Sequence, residues 1–166
     1  MPDQAILLSE RQVRIRAATS ADAGAVARVM RKAFAQYRGV FEPPSGALSA
    51  NAPMVRELMR EGGVLVADVG RRVVACVYHH PHADYVYLGR LAVMPAHRGR
   101  GLGASLVAAV EDGARRGGRR RVRLGVRLAL PQNQEFFKRL GYHEVGLESH
   151  PGFDEPTFAW LEKQVD

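Results

Sequence analysis

One stretch, residues 91–103, constrains the fold of this chain more than any other part of its sequence. It reads Leu-Ala-Val-Met-Pro-Ala-His-Arg-Gly-Arg-Gly-Leu-Gly, so an apolar strand end runs into a turn rich in glycine and arginine, and a helical apolar stripe follows. The first N–H groups of a helix lack hydrogen-bond partners and carry partial positive charge, and glycines let a bulky anion approach them. The stretch therefore predicts a phosphate or diphosphate site, with a plain tight turn as the alternative.

The turn matches neither of two familiar phosphate-binding motifs. No Gly-Lys-Ser/Thr follows its glycines, so it is not a P-loop. Gly99, Gly101 and Gly103 alternate, unlike the glycines of the dinucleotide fingerprint, and the strand before them lies among predicted hairpins.

Hydrophobic periodicity predicts an α/β (α+β) chain. Period-two patterns predict strands at 13–17, 64–69, 73–79, 85–93, 121–126, 142–147 and 157–161. Apolar stripes predict a helix that runs to Tyr37, a second with Pro53 in its first turn, a third from Leu102, and a short fourth ending at Gly141. Thr19 and Asp22 have the spacing of a capping box. Short connections favour antiparallel early strands, whereas the strand–helix–strand order from 85 to 126 favours a parallel crossover.

Composition limits the class of protein. The 166 residues, 46% hydrophobic and 25% charged, favour one domain over 1–166 and exclude an intrinsically disordered chain, with residues 1–10 expected to form a loose arm. No apolar run approaches the ~18 residues of a membrane span, and no signal peptide is evident. The lone cysteine, Cys76, fits a reducing compartment, so a cytoplasmic protein is expected. The net charge of +7 favours anionic ligands.

Three motifs in order resemble the GNAT superfamily of acyl-CoA-dependent N-acetyltransferases. Arg98, Gly101 and Gly103 match the signature Arg/Gln-x-x-Gly-x-Gly/Ala, and a Leu-Ala-Val strand end precedes it. Downstream, Asn133 is followed by Phe-Phe-Lys-Arg-Leu-Gly-Tyr at 136–142, as in many members. The resemblance implies a mostly antiparallel, twisted sheet flanked by helices, with strands four and five parallel and splayed.

The resemblance also implies acetyl-CoA as co-substrate and no metal. The turn amides would hold its diphosphate, strand backbone would pair with the pantetheine arm, and Asn133 would hydrogen-bond that arm, unless it serves as a helix N-cap. The implied cofactor-binding residues are Leu91, Ala92, Val93, Arg98, Gly99, Arg100, Gly101, Leu102, Gly103, Ala104 and Asn133.

The residues that move protons are less constrained by the motifs. Many relatives place a tyrosine acid where this chain has Phe137, so either Tyr142 or a water donates the proton, or the thiolate leaves unassisted. Tyr87 stands where a carboxylate base is frequent and is a candidate to orient a water or accept a proton. His80 is a candidate base if it faces the cleft. Glu42, in the loop between the first two helices, is the preferred carboxylate candidate, with a solvated loop acid as the alternative.

Together, these expectations predict an enzyme that transfers the acetyl group of acetyl-CoA to a primary amine of a small molecule, an amino acid or a peptide by direct attack of the amine. Two other classes stay open: a non-catalytic acyl-CoA sensor, suggested by Phe137, and a basic nucleic-acid or ribosome-associated protein, suggested by arginines at 115–123. Nucleic acid is the less favoured partner, since no aromatic residues interleave those arginines. Homodimers are common in the family, although no dimer motif is visible.

Overall fold

A computed structural model describes residues 13–166, so the expected N-terminal arm lies outside the described residues. This part of the chain contains four helices and seven strands in one mixed sheet. The helices are α1 (Ala23–Phe34), α2 (Ala52–Glu61), α3 (Leu102–Arg116) and α4 (Pro131–Arg139). The strands are β1 (Val13–Ala17), β2 (Gly63–Val69), β3 (Arg72–Pro81), β4 (Tyr85–Val93), β5 (Arg121–Arg127), β6 (His143–Glu148) and β7 (Phe158–Gln164). All seven predicted strands are present, with ends shifted by a few residues at most.

The sheet order is β1-β2-β3-β4-β5-β7-β6, and the β4–β5 pair is the parallel one in it. Helix α3 makes the crossover between those two strands, as a parallel pair requires. The predicted fold class is therefore confirmed. Within residues 13–166, no helix combines the length and apolar composition that crossing a membrane requires.

Two hydrophobic cores lie on opposite faces of the sheet. One packs α3 and α4 against side chains such as Leu88 and Leu124, and the other packs α1 and α2 against side chains such as Val66 and Cys76. Alternate residues of a strand point to opposite faces, so both faces of the central strands are apolar. The helices on both sides hold β4 in place, and the site is built on that strand.

Strands β4 and β5 pair over three residue pairs, from Tyr85 with Arg121 to Tyr87 with Arg123, and then separate. A bulge bends β4 just beyond that point, because Tyr78 pairs with Gly89 while Cys76 pairs with Ala92. Arg90 lies inside the bulge with φ of 52°. The bend opens a cleft between the second halves of the two strands.

Helix α1 ends three residues earlier than its apolar stripe predicts. It stops at Phe34, and Ala35–Tyr37 forms a separate 3₁₀ turn. The carbonyl oxygen of Ala33 accepts hydrogen bonds from the Arg98 guanidinium at 3.0 Å and the Gln36 amide at 3.2 Å. These side chains take the acceptor that the next helical turn would use, so tertiary contacts end the helix.

The predicted capping box is confirmed and is part of a charged cluster. The Asp22 carboxylate accepts from the Thr19 N–H at 2.7 Å and pairs with the Arg16 guanidinium at 2.8 Å. The same guanidinium pairs with Asp68 of β2 at 2.7 Å. Arg16 therefore ties β1, β2 and the start of α1 together, while Arg98 ties the other end of α1 to the glycine-rich turn.

Replacing Asp22 with asparagine tests this cluster. The Arg16 guanidinium holds the pKa of the Asp22 carboxyl well below its usual range. The stabilisation by the ionised Asp22 carboxylate is therefore complete above the ordinary aspartate pKa of about 4. It is lost as the pH falls through the lower pKa that Asp22 has in the folded protein. Urea denaturation should show the Asp22→Asn variant less stable than the parent by about 1–2 kcal/mol at pH 7, with the difference shrinking steadily below about pH 4.

Asp112→Asn is the matched control. Asp112 pairs with Arg115 on the exposed surface of α3, at 2.7 Å, and such pairs contribute little. A destabilisation by Asp22→Asn that stays constant across the pH range would contradict the assignment.

Candidate functional site

The glycine-rich turn (98–103) has a backbone that only glycine adopts readily. Gly99 and Gly101 have φ of 76° and 77°, in the left-handed region, and Gly101 is the N-cap of α3. A Cβ placed on either residue would meet no atom within 4 Å. The space beside the turn is therefore open to a ligand that approaches the backbone.

The backbone N–H groups of residues 99–104 have no hydrogen-bond partner within the described residues. The first helical bond of α3 is the one from the Ser105 N–H to the Gly101 carbonyl, at 3.0 Å. Free N–H groups at the positive end of a 15-residue helix are suited to bind an anion. The turn thus has the hydrogen-bonding capacity that the sequence predicts.

A cavity of about 410 Å³, here called the turn cavity, lies along this turn. The second half of β4, from Leu91 to Val93, forms one wall, and α4 contributes Asn133 and Phe137. His97 also lines it, and its buried Nδ1 atom has no partner within residues 13–166. The cavity therefore combines unpaired donors with an apolar wall.

Arg98 has a different task from Arg100. The Arg98 guanidinium donates to the Ala33 carbonyl and so fastens the turn to α1. Arg100 is exposed at the tip of the turn, where its charge can reach a bound anion. Gly103 faces Phe136 and Leu91, because a Cβ there would lie in ordinary van der Waals contact with them at 3.4 Å and 3.8 Å.

A second cavity of about 460 Å³, here called the cleft cavity, fills the opening between β4 and β5. Leu91, Asn133 and Phe137 line both cavities, so the two meet at these residues. The loop between α1 and α2 forms the outer wall of the cleft cavity with Phe41, Pro43 and Pro44. A ligand lying along the turn cavity can thus reach a second molecule in the cleft cavity.

Asn133 does not cap a helix, so that alternative is wrong. Helix α4 begins at Pro131 with Leu130 as its N-cap, and Asn133 is the third helical residue. Its position at the junction of both cavities leaves its amide free for a ligand. Phe137, its neighbour one turn later, is buried and offers no proton there.

Tyr87 lines the cleft cavity, and its ring lies over Gly89, where an added Cβ would meet the Tyr87 hydroxyl at 3.0 Å. Burial raises the pKa of the Tyr87 hydroxyl, so it keeps its proton at neutral pH. His80 pairs with Tyr87 across the strands and lies on the same face. It stands behind the cavity wall, where its Nδ1 atom is 3.3 Å from the Tyr78 hydroxyl.

The position of Tyr142 argues against its expected role as the acid. It is buried in the core, and its hydroxyl donates to the Glu111 carboxylate at 2.9 Å. Lys163 pairs with the same carboxylate at 3.1 Å. Burial and Glu111 raise the pKa of Tyr142, which belongs to neither cavity wall. Tyr142 belongs to a family motif, but its side chain packs into the hydrophobic core and not into a cavity.

Glu42 is exposed in the loop between α1 and α2, between two residues that line the cleft cavity. Its charge acts on Arg127, whose pKa it raises against the larger effect of burial. Glu42 therefore lies at the rim of the cleft, beside a cation.

Sequence reasoning missed two cationic residues of the cleft cavity, Arg90 and Arg127, whereas the hairpin that contains His150 is expected from the sequence to shape the acceptor pocket. Arg90 and Arg127 line it from β4 and β5, and His150 lines it from the loop before β7. One signal was available for Arg90, since an arginine between Leu88 and Leu91 interrupts an apolar strand. Among residues 13–166, no group of three or more His, Cys, Asp or Glu side chains is arranged to hold a metal ion.

Solved structures share this fold at low sequence identity. The PaiA N-acetyltransferase of Thermoplasma acidophilum, in complex with coenzyme A, is 18% identical, with a TM-score of 0.75 over 92% of this chain and 98% of that one. The ribosomal-protein-S18-alanine N-acetyltransferase of Escherichia coli is 16% identical, with a TM-score of 0.73 over 92% and 94%. The yncA protein of Salmonella typhimurium, with its cofactor acetyl-CoA, is 19% identical, with a TM-score of 0.68 over 93% and 95%.

No curated protein matches the sequence significantly. The model of the acetyltransferase (GNAT) family matches residues 27–142, which is more than half of the chain and includes the glycine-rich turn, α3, β5 and α4. On the strength of that match, this chain belongs to the GNAT family of acetyltransferases.

Proposed function

We propose that this protein transfers an acetyl group from acetyl-CoA to a primary amine by direct attack of the amine. The observation that carries the proposal is the junction of the two cavities: five residues with free N–H groups, Gly99 and 101–104, line one cavity, and the other opens from it between the splayed strands. One cavity suits an anionic carrier and the other suits the acceptor. The two reactants then meet at Leu91, Asn133 and Phe137.

The residues of the turn cavity fit coenzyme A. The N–H groups of residues 99–104 would hold its diphosphate, with Arg100 at the rim, and Arg98 would keep the turn in place from its contact with α1. The backbone groups of residues 91–93 on the side toward β5 are not paired with that strand. They could therefore form hydrogen bonds with the amide groups of the pantetheine arm. Asn133 would donate to or accept from the same arm. PaiA and yncA, which share the fold, were solved with coenzyme A and acetyl-CoA.

Bound acetyl-CoA supplies a thioester whose acetyl carbon takes the amine nitrogen, the C–N bond forming as the C–S bond breaks. A free N–H on the β4 edge would stabilise the negative charge that develops on the acetyl oxygen. No covalent enzyme intermediate is needed, because the one cysteine, Cys76, is fully buried and burial raises its pKa to about 12. Phe137 has no proton to donate, but a thiol with a pKa of about 8.5 is a tolerable leaving group without one.

The amine must lose a proton, and the buried hydroxyls of β3 and β4 offer a path. Tyr87 faces the cleft cavity, and its ring centroid lies 6.2 Å from that of Tyr78. The Tyr78 hydroxyl in turn lies 3.3 Å from Nδ1 of His80. In this proposal Tyr87 orients the amine and takes up the amine's proton while it passes its own hydroxyl proton by way of Tyr78 to His80. Glu42 lies at the rim beside Arg127 and is not assigned as the base.

Gly101→Ala tests the binding of coenzyme A. The variant adds a Cβ at a positive φ on the open side of the turn, which disturbs the donors that would hold the diphosphate. Calorimetry should show binding of coenzyme A to the parent protein and a loss of about tenfold or more in the variant, as expected when charge-assisted hydrogen bonds are misaligned.

Gly70→Ala is the matched control for this change. Gly70 also has a positive φ, 64°, and open space at its Cβ position, but it lies in the turn between β2 and β3. The backbone strain is comparable, so melting temperatures should fall by similar amounts while only Gly101→Ala loses affinity. No binding of coenzyme A to the parent would overturn the proposal.

The proton path is tested by Tyr87→Phe and His80→Gln. Each should lower kcat by about 10²-fold, at the lower end of what acid–base groups contribute. The glutamine amide of His80→Gln cannot accept a proton, so kcat should fall in this variant while the binding of coenzyme A stays the same. Release of free thiol with a panel of amines is the measurement.

Tyr142→Phe serves as the matched tyrosine control. It removes a buried hydrogen bond to Glu111 and should lower stability by about 1–3 kcal/mol without changing kcat. An unchanged kcat in His80→Gln would remove that residue from the path. Binding of coenzyme A without thiol release on any amine would favour an acyl-CoA sensor instead.

A further inference from the structure

The cleft cavity, where the acceptor of the proposed reaction would bind, carries a one-sided set of charges. Arg90 and Arg127 line it from the two splayed strands, and His150 lines it near Phe158. Among the described residues of its wall, none is an aspartate or a glutamate. An acceptor with a second positive charge would find no carboxylate in that wall to pair with, whereas an acceptor with an anionic group would find two guanidinium groups.

Both arginines have buried nitrogen atoms with unused hydrogen-bonding capacity. Nη1 of Arg90 and Nη1 of Arg127 are buried, and neither has a hydrogen-bond partner within residues 13–166. Leaving a buried donor unpaired costs free energy, more so for a charged group. Because these two atoms expose almost no surface, a ligand recovers that free energy when the guanidinium groups turn toward it.

The backbone at Arg90 is a second sign that its side chain has a use. Arg90 has φ of 52°, and it is the one residue other than glycine with a positive φ in the described chain. This conformation is unfavourable for a residue with a Cβ, and such residues cluster at functional sites. Glycine would satisfy the bulge without that cost. The presence of arginine at this position therefore indicates that the Arg90 side chain has a function.

Arg127 is held in place on the other side of the cleft. Its guanidinium lies over the Phe41 ring, 4.6 Å from the centroid, and the charge of Glu42 acts on it. Burial nevertheless lowers the pKa of Arg127, so Glu42 compensates only part of the desolvation. Arg90, Arg127 and Glu42 together carry a net charge of one positive unit, which a singly charged anion would balance.

We propose that the acceptor is a primary amine that also carries a carboxylate, as an amino acid does, and that Arg90 and Arg127 bind this carboxylate in the cleft cavity. The proposal rests on the proposed function and names the substrate class of that same site. The planar guanidinium matches the two oxygens of a carboxylate, and such charged hydrogen bonds are strong. The charge balance favours a carboxylate monoanion over a phosphate or phosphonate dianion. Phe41, Phe158 and Trp160 would contact an apolar body between the two groups.

The first test compares thiol release with matched acceptors: leucine and phenylalanine, their carboxamides, an aminoalkyl phosphonate and a linear diamine. The amine of a carboxamide has a lower pKa than the amine of the corresponding acid, because no carboxylate charge stabilises its protonated form. Without help from the protein, the carboxamides would therefore be the faster nucleophiles. We expect kcat/KM for the acids to exceed that for the amides by about tenfold or more. Equal or faster reaction of amides or diamine would overturn the proposal, and a preference for the phosphonate would overturn the carboxylate assignment.

The second test needs no turnover. Binding of N-acetyl-leucine and N-acetyl-phenylalanine, and of their amides, is measured by calorimetry or NMR titration on the protein with and without coenzyme A. We expect the acids to bind and the amides to bind about tenfold more weakly or worse. Equal binding, or no binding of either acid, overturns the proposal whether or not the protein is an active enzyme. Binding of coenzyme A, measured separately, reports on the proposed function.

The third test uses Arg90→Gln and Arg127→Gln, with Arg28→Gln on the exposed surface of α1 as the matched control. Each cleft variant should remove most of the preference for acids over amides, while Arg28→Gln leaves it unchanged. Retained binding of coenzyme A shows that a variant is folded, because the turn cavity is separate from both side chains. A preference that survives both changes would overturn the proposal.

Arg90→Gly separates binding from folding. Glycine adopts the backbone of the bulge readily, so this variant should melt at the same temperature as the parent or higher. It should nevertheless lose the preference for acids. A variant that keeps the preference would show that the Arg90 side chain does not bind the acceptor.

Discussion

The separation of β4 from β5 is the constraint on which the rest of the structure depends. The two strands begin as a parallel pair, and the bulge at Arg90 then bends β4 away from its neighbour. Sheets normally satisfy the backbone groups on both edges of an interior strand. Here the second half of β4 keeps one edge free in the interior of the molecule. That free edge and the free N–H groups at the start of α3 are adjacent, so a single bend produces a continuous surface of hydrogen-bonding groups.

The two cavities differ in the source of their positive potential. In the turn cavity it comes from main-chain N–H groups and the helix dipole, which need no side chain beyond small glycines. In the cleft cavity it comes from the guanidinium groups of Arg90 and Arg127, whose charge is partly compensated by Glu42. Backbone donors depend little on side-chain identity, whereas side chains can change from one protein to the next without disturbing the fold. In the proposed reaction, the cleft is therefore the part of this protein that selects the acceptor.

Sequence patterns predicted most of what is local. Alternation located all seven strands, the Thr19–Asp22 spacing predicted the capping box, and the turn before α3 indicated free N–H groups that glycines leave accessible. The errors came where side-chain contacts and packing decide a local outcome. Helix α1 ends at Phe34, where Arg98 and Gln36 donate to the Ala33 carbonyl, and α4 begins two residues before Asn133, which is therefore not a cap. Tyr142, the last residue of a family motif, is a core residue whose hydroxyl donates to Glu111.

The sequence by itself determined the order of elements, the anion-binding turn and the family, because each depends on residues that are close along the chain. Only the tertiary structure decided which side chains share the cleft. Arg90 and Arg127 lie on different strands, and His80 lies behind the cleft cavity beside Tyr78 and opposite Tyr87. Those relations follow from strand register and from one bulge, and a shift of one residue moves a side chain to the opposite face of the sheet. Local periodicity carries no information about that choice, so the reactive and specificity-determining groups emerge only when the strands are paired.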